Sequence, residues 1–395
     1  MNKPCVLIIG PTPPPYMGPS VATKMIIESE LKDEFHLVHL DTADRRSLTN
    51  IGKVDFGNIY LAVAHFLKLI ALLMKFSPRI VYLPICQTIR GYFRDVSFMT
   101  ISRIFGARII IHLRGGYFRK LYENSNIFAK VIIGFSLKSV SRAIVLGESL
   151  RYVFEDLVPS KHIVVVSNGI DEEYITEAEY TKAQRNRLIT KSPSDSMTNS
   201  MSGLRVLFLS NILLSKGYYD IIKAIPFITE KIKNVKFIFA GESWESEEVT
   251  NNVNDYIDKQ NISRYINFYG RALEKDKRKL LLQSDIMILP TYYKYEGQPW
   301  VIIEAMASGL PVITTDNGCI PEMIVDGQNG YIIEKRNSKQ LADRLLILLR
   351  NARLRDSMSK QNRARFIKLY TKDVYIKGLR GVFESVLSQY PFIKN

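Results

Sequence analysis

Cysteine is nearly absent from this chain. The three thiols among 395 residues, Cys5, Cys86 and Cys319, lie far apart, form no Cys-x-x-Cys and stand near no histidine cluster. That excludes a disulfide framework and a zinc site and fits reduced thiols in a cytosolic protein. An uninterrupted spanning segment is also missing. The longest apolar run, residues 59–76, is broken near its middle by His65 and Lys68, so no transmembrane helix is expected. The start carries one early lysine and the short run 5–9 before Gly10-Pro11-Thr12-Pro13-Pro14-Pro15, and reads as a first strand rather than a signal peptide. No Gly-x-Gly-x-x-Gly follows the opening strand of either half, which argues against a dinucleotide-dependent oxidoreductase.

Acidic residues are in short supply. Thirty-nine Asp and Glu against 54 Lys and Arg leave a net charge of +15, and residues 50–170 alone hold sixteen Lys or Arg against six Asp or Glu. An anionic partner is implied, and nucleic acid, an anionic membrane surface and a phosphate-bearing substrate are all compatible with it. A basic nucleic-acid-binding protein is weakened by the lack of a helix-turn-helix, zinc-finger or RNP-type signature and by the apolar surroundings of the cations.

What is present is globular and large. With 46% hydrophobic and 24% charged residues, the length exceeds one ordinary core and predicts two domains. Residues 6–10, 35–41, 80–85, 108–114, 143–147 and 162–167 read as strands separated by helical stretches. Runs such as Arg108-Ile109-Ile110-Ile111-His112-Leu113 are apolar on both faces, as in a parallel sheet covered by helices on both sides. A second alternation places strands at 205–211, 235–241, 266–270, 286–290, 310–315 and 331–334, with helices at 217–233, 272–283 and 338–352. The predicted architecture is α/β, two tandem Rossmann-like doubly wound domains facing a central cleft. Its expected divisions are an N-terminal acceptor-binding domain at 1–176, a polar serine-rich linker or mobile loop at 177–203, a donor domain at 204–371, and a C-terminal helix at 372–395 whose packing partner is open.

One stretch stands out: Tyr295-Glu296-Gly297-Gln298-Pro299-Trp300-Val301-Ile302-Ile303-Glu304-Ala305-Met306-Ala307-Ser308-Gly309-Leu310-Pro311-Val312-Ile313. Pro299 suits the start of a helix and Gly309 the residue past its end. Glu296 precedes that helix and Glu304 lies inside it. A helix N-terminus between two carboxylates suits a diphosphate flanked by hydroxyl-rich rings, the outline of a nucleotide sugar; a surface glutamate and an ordinary helix glutamate are the bland alternative.

Seven residues separate Glu296 from Glu304, and with the following Ala305 to Ile313 they resemble the EX7E motif of GT-B retaining glycosyltransferases, glycosyltransferase family 4 (glycosyl transferases group 1). The likeness extends to Ser210 to Gly217, Gly318 to Glu322 and, more loosely, Ser167 to Asp171 and the loop after the first strand. The resemblance implies that Glu304 holds the ribose hydroxyls, Glu296 contacts the donor sugar and Lys216 neutralises the diphosphate. It further implies that Gly18 lets backbone approach the donor phosphate and that His112 lies beside the donor sugar. Catalytic candidates are therefore His112, Lys216 and Glu296, and donor-binding candidates are Gly18, Asn211, Lys216, Gly241, Arg271, Glu296, Gly297, Gln298 and Glu304. Asn211 stands where many members carry arginine, so one cationic contact to the diphosphate is either missing or supplied elsewhere, by Arg271 or Arg114. No Asp-x-Asp ends a strand, so neither a metal nor a cofactor is expected beyond the nucleotide diphosphate sugar itself.

The helical run 59–76 carries Asn58, His65, Lys68 and Lys75 as one polar stripe, and reads either as core or as a surface on the anionic inner leaflet, with Arg114-Gly115-Gly116-Tyr117-Phe118-Arg119-Lys120 beside it. The implied reading is a cytoplasmic, peripherally membrane-associated hexosyltransferase acting on a lipid-linked bacterial glycan in polysaccharide, lipopolysaccharide O-antigen or capsule biosynthesis, with no nucleic-acid partner. The alternative is a soluble α-glucan or sucrose-type synthase of the same fold.

Overall fold

The computed structural model describes residues 3–14, 16–45, 56–189 and 203–389. The chain divides into two compact units, residues 1–168 with 373–395, and residues 169–372.

The first unit is a six-stranded parallel sheet. Its strands are β1 (Cys5–Gly10), β2 (His36–Asp41), β3 (Ile80–Ile85), β4 (Arg108–Leu113), β5 (Arg142–Val145) and β6 (Ile163–Val165), in the order β2-β1-β3-β4-β5-β6. The crossovers are α1 (Gly18–Ile27), α2 (Leu31–Glu34), α3 (Phe56–Phe76), α4 (Ile89–Ile104), α5 (Phe118–Glu123) and α6 (Ile127–Lys138). The inner strands β1, β3, β4 and β5 are buried almost throughout, which is why each reads as an apolar run, whereas edge strand β2 alternates buried Val38 and Leu40 with less buried His39 and Asp41.

The second unit repeats the plan. It opens with α7 (Glu177–Ile189), and its strands β7 (Leu204–Leu209), β8 (Val235–Ala240), β9 (Ile266–Gly270), β10 (Ile286–Leu289), β11 (Val312–Thr315) and β12 (Gly330–Ile333) run in the order β12-β11-β10-β7-β8-β9. Its remaining helices are α8 (Tyr218–Thr229), α9 (Glu247–Lys259), α10 (Glu274–Gln283), α11 (Trp300–Ala307), α12 (Ile320–Met323), α13 (Ser338–Arg350) and α14 (Ala352–Leu369). Strand order reverses between β7 and β10, so the carboxyl ends of these two strands bound the crevice where doubly wound sheets take ligands.

The last helix, α15 (Lys372–Gln389), returns from Asp373 onward to the first unit. Tyr375, Leu379, Phe383 and Val386 join Val6, Ile8, Ile80 and Tyr82 in its core, Phe383 meets Phe35 edge to face at 5.6 Å, and Arg380 pairs with Glu34 at 2.9 Å.

One expectation needs correcting. The polar stretch 177–203 is not a linker throughout: residues 177–189 form α7, and only 190–202 lie outside the described residues. Tyr180 and Ala183 are buried, and the Arg187 guanidinium donates to the carbonyls of Ser284 at 2.8 Å, Ser308 at 3.0 Å and Leu281 at 3.1 Å. A helix with so few apolar residues is held by satisfying those carbonyls, a contribution that composition does not reveal. Burial lowers the Arg187 pKa to about 10. Replacing it in Arg187→Met strands the carbonyls and should cost the second unit about 3 kcal/mol, read as a lower midpoint in urea unfolding.

Candidate functional site

In the second unit the site is built at the reversal of strand order. After β7 the chain makes a single 3₁₀ turn, Leu214–Lys216, and Gly217 adopts a left-handed φ of +83° to start α8. A Cβ at Gly217 would stand 2.3 Å from the Pro290 carbonyl oxygen, so this close approach to the end of β10 admits only glycine. It positions Lys216 against the loop following β10. Lys216 Nζ donates to Glu296 Oε2 at 2.7 Å and lies 4.4 Å from the centre of the Tyr293 ring. Thr291 Oγ1 donates to the same Glu296 oxygen at 2.9 Å. Lysine and glutamate side chains are 15% and 9% exposed, so the pair is largely withdrawn from water.

The stretch from Glu296 onward is clamped from below. Gly297 O accepts from Cys319 N–H at 2.7 Å, and Gly318, with φ +58°, passes so near that a Cβ there would sit 2.3 Å from Gly297 O. Gln298 is buried, Pro299 caps α11, and Gly309 follows its end with φ +64°. Glu304, on the fifth residue of α11, accepts from Lys277 Nζ of α10 at 2.6 Å through Oε1. Its other oxygen, Oε2, is buried without a hydrogen-bond partner among the described residues. Burial raises the Glu304 pKa against the pull of Lys277. Burial likewise opposes the Lys277 charge, but Glu304 outweighs it and the ammonium pKa is raised. A buried acceptor left open in this way is a place for a ligand hydroxyl.

Gly241 ends β8 so close to β7 that a Cβ would lie 1.8 Å from Ser210 O and 3.1 Å from Asn211 N. Asn211 is partly buried in that junction, and Arg271, after β9, is exposed.

The first unit holds the other candidates. His112, in β4, is fully buried; its Nδ1 lies 2.8 Å from Tyr82 Oη, and its Nε2 has no partner among the described residues. Arg114 donates through Nη2 to Tyr82 Oη at 3.1 Å and to Tyr375 Oη, and through Nη1 to Asn168 Oδ1 at 2.7 Å. Since arginine can only donate, the Tyr82 oxygen is an acceptor there, and assigning its own proton to His112 Nδ1 rather than to the neighbouring Tyr375 oxygen makes that ring nitrogen the acceptor. The neutral ring then carries its proton on Nε2, a buried donor awaiting an acceptor. Burial and then Arg114 hold the His112 pKa well below the ordinary value. Arg114 thus has its two terminal nitrogens engaged by Asn168, Tyr82 and Tyr375, while its Nε is buried without a partner among the described residues. Gly18 opens α1, partly exposed, where Met17 N–H donates to Ser20 Oγ at 3.0 Å.

Lys277, Thr291, Tyr293, Tyr82 and Tyr375 escape sequence reading. Lys277 lies in Glu274-Lys275-Asp276-Lys277-Arg278-Lys279, indistinguishable from a solvated charge run. Tyr82 had a usable signal: it pairs with Ile110 in register, which puts it on the same sheet face as His112 two residues on.

Two measurements follow from this geometry. Lys277→Met leaves the Glu304 carboxylate buried without a cation and should destabilise by about 3 kcal/mol near neutral pH. The carboxyl pKa then rises further, so the loss shrinks as pH falls toward the ordinary carboxylate range, and adding Glu304→Gln should recover most of it in denaturant unfolding. In histidine-selective ¹⁵N NMR, one ring should remain neutral and protonated on Nε2 below the pH at which an unperturbed imidazole takes up its proton. Tyr82→Phe should abolish that single-tautomer signature.

Comparison with known proteins adds the following. Residues 197–365 match the family model described as Glycosyl transferases group 1. Spore coat protein SA of Bacillus subtilis is 31% identical over 188 residues, 47% of this chain and 48% of that one. The capsular polysaccharide biosynthesis glycosyltransferase CapM of Staphylococcus aureus is 26% identical over 261 residues, 62% of each chain. The alignments thus span about half to two thirds of those relatives. Anabaena HepE, solved in complex with UDP, superposes over 97% of this chain and 100% of its own with a TM-score of 0.73 at 15% identity, a likeness of fold. The fold is therefore GT-B, and its second unit carries a glycosyl transferases group 1 domain.

Proposed function

We propose that this chain is a retaining, metal-independent glycosyltransferase that moves a hexose from a nucleotide diphosphate sugar to a lipid-linked bacterial glycan. The observation that carries the reading is the second unit's pair of buried carboxylates, each held by a lysine: Glu296 by Lys216 at 2.7 Å, and Glu304 by Lys277 at 2.6 Å with one oxygen still unpaired. A ribose hydroxyl donating to Glu304 Oε2 satisfies that oxygen. Lys216, withdrawn from water and anchored beside the start of α8, stabilises the negative charge that grows on the departing diphosphate, so the role a metal ion plays in other transferases falls to a lysine.

In the reaction the acceptor oxygen bonds to the anomeric carbon as the bond from that carbon to the diphosphate oxygen breaks. The acceptor proton passes to a phosphate oxygen, and the nucleoside diphosphate leaves. Attack from the face that the diphosphate vacates retains configuration. Neutral His112 is not the base of this reaction, because its ring does not take up a proton at working pH.

The relative named for capsular polysaccharide biosynthesis supports a cell-surface glycan as product. The exposed apolar helices of the first unit favour a lipid-linked acceptor, reached at the cytoplasmic face of a membrane, over a soluble α-glucan or sucrose-type acceptor.

A thermal-shift panel of UDP, GDP and ADP tests the donor assignment. One of them at about a hundredfold its Kd should add about 2.7 kcal/mol of stability to the wild type. Lys216→Met and Glu304→Ala should each erase that shift and abolish transfer while leaving the protein folded; no shift with any nucleotide, or transfer retained in the variants, would sink the reading.

A further inference from the structure

The unexplained feature of the first unit is a layer of helices with apolar side chains on both sides. Helix α4 packs against both α3 and α6, so the three lie side by side over one face of the sheet. Their inward faces supply Leu69, Leu73, Phe98, Ile133 and Leu137 to the interior. The outward faces of α3 and α6 are largely apolar where a surface helix is ordinarily polar, and between them α4 exposes Phe93 and Ile104 among Arg90, Ser97, Thr100 and Arg103. On α6, Phe128, Val131 and Phe135 project at one-turn spacing with 78%, 63% and 80% exposure, and α3 adds Val63, Leu67 and Met74.

The charge pattern of this layer identifies its occupant. Helices α3 and α6 contain no Asp or Glu, and the one acidic residue of α4, Asp95, is buried and engaged by Arg94 at 2.8 Å and by Cys86 N–H at 2.7 Å. Lys68, Lys75, Arg90, Arg103 and Lys138 on the same helices are all exposed. Cations with no exposed carboxylate among them would repel a second copy presenting the same layer. They complement an anionic headgroup layer, toward which Lys and Arg extend while the aromatic and aliphatic groups between them enter the acyl boundary. Among the described residues no helix is long and apolar enough to cross a membrane, so the contact is one of lying on the surface.

We infer that the outer face of α3, α4 and α6 is a docking surface for an anionic lipid bilayer, with α6 inserted most deeply. The inference deepens the lipid-linked-acceptor reading by naming the surface that meets the membrane, and it is tested separately from transfer.

The test is co-sedimentation with vesicles of phosphatidylcholine containing phosphatidylglycerol, and with vesicles of phosphatidylcholine alone. The wild type should sediment with the first, much less with the second, and less with either as salt rises. The triple variant Phe128→Ser, Val131→Ser, Phe135→Ser should bind at least tenfold more weakly. The double variant Lys68→Glu, Lys138→Glu should lose most of the preference for phosphatidylglycerol. The substituted side chains are exposed, so thermal stability should stay at the wild-type level, and the nucleoside diphosphate shift, read on the same variants, separates a failure of docking from a failure of donor binding. Absence of wild-type binding, or triple-variant binding equal to wild type, would overturn the inference. So would a wild-type dimer that binds no vesicles and that the triple variant converts to monomer, since the face would then belong to a second copy.

Discussion

A carboxylate withdrawn from water needs a cation, and in the second unit that need is met twice at the end of one sheet. Glu296 is held by Lys216 and Thr291, Glu304 by Lys277. Removing a cation from such a pair costs far more than the pair itself contributes, because the remaining charge cannot recover its hydration. The close approaches at Gly217 and Gly318 support the first pair, since they pack the turn that carries Lys216 against the end of β10 and the Gly318 backbone against Glu296 and Gly297, so that residues eighty positions apart meet.

The first unit solves a different problem, how to keep a histidine neutral and pointed. Arg114 sits beside it, so protonating the ring would place two cations together in a buried space. Burial works against the Arg114 charge too, but the oxygens of Tyr375 and Tyr82 offset it and the guanidinium pKa is raised. Tyr375 comes from α15, so the last helix takes part in the network that orients His112, in addition to filling the core with Phe383 and Leu379. A truncation before α15 would remove both the packing and the oxygen that shares the guanidinium.

What was legible in the sequence follows from how each element is stabilised. All twelve strands lie within a few residues of where the sequence puts them, the inner ones because a parallel sheet covered on both faces demands runs of Val, Ile and Leu, and the more exposed edge strands β2 and β9 by their place in the alternation with helices. Glu296, Glu304 and Lys216 stand out through a motif, which records a constraint on one short stretch and the turn before a helix, and the structure brings Glu296 and Lys216 within 2.7 Å of each other. Elements and residues stabilised by distant partners were not legible. Helix α7 reads as linker because Arg187 is satisfied by carbonyls about a hundred residues away, and nothing local to Arg114 indicates that Asn168 and Tyr375 accept from its terminal nitrogens.

Helix α6 marks the limit of pattern reading from the other direction. A segment apolar on every side is normally assigned to the interior, since water offers such a helix no favourable face. Its four-residue neighbours Val131 and Phe135 lie as far outside the fold as Ile133 and Leu137 lie inside it. Hydrophobicity alone counts all four alike. What separates them is the sheet, which has only one face to offer α3, α4 and α6 and leaves their other side to whatever the protein meets. The absence of exposed carboxylates on those helices then becomes informative, because a surface selected only for contact with water has no reason to exclude one sign of charge.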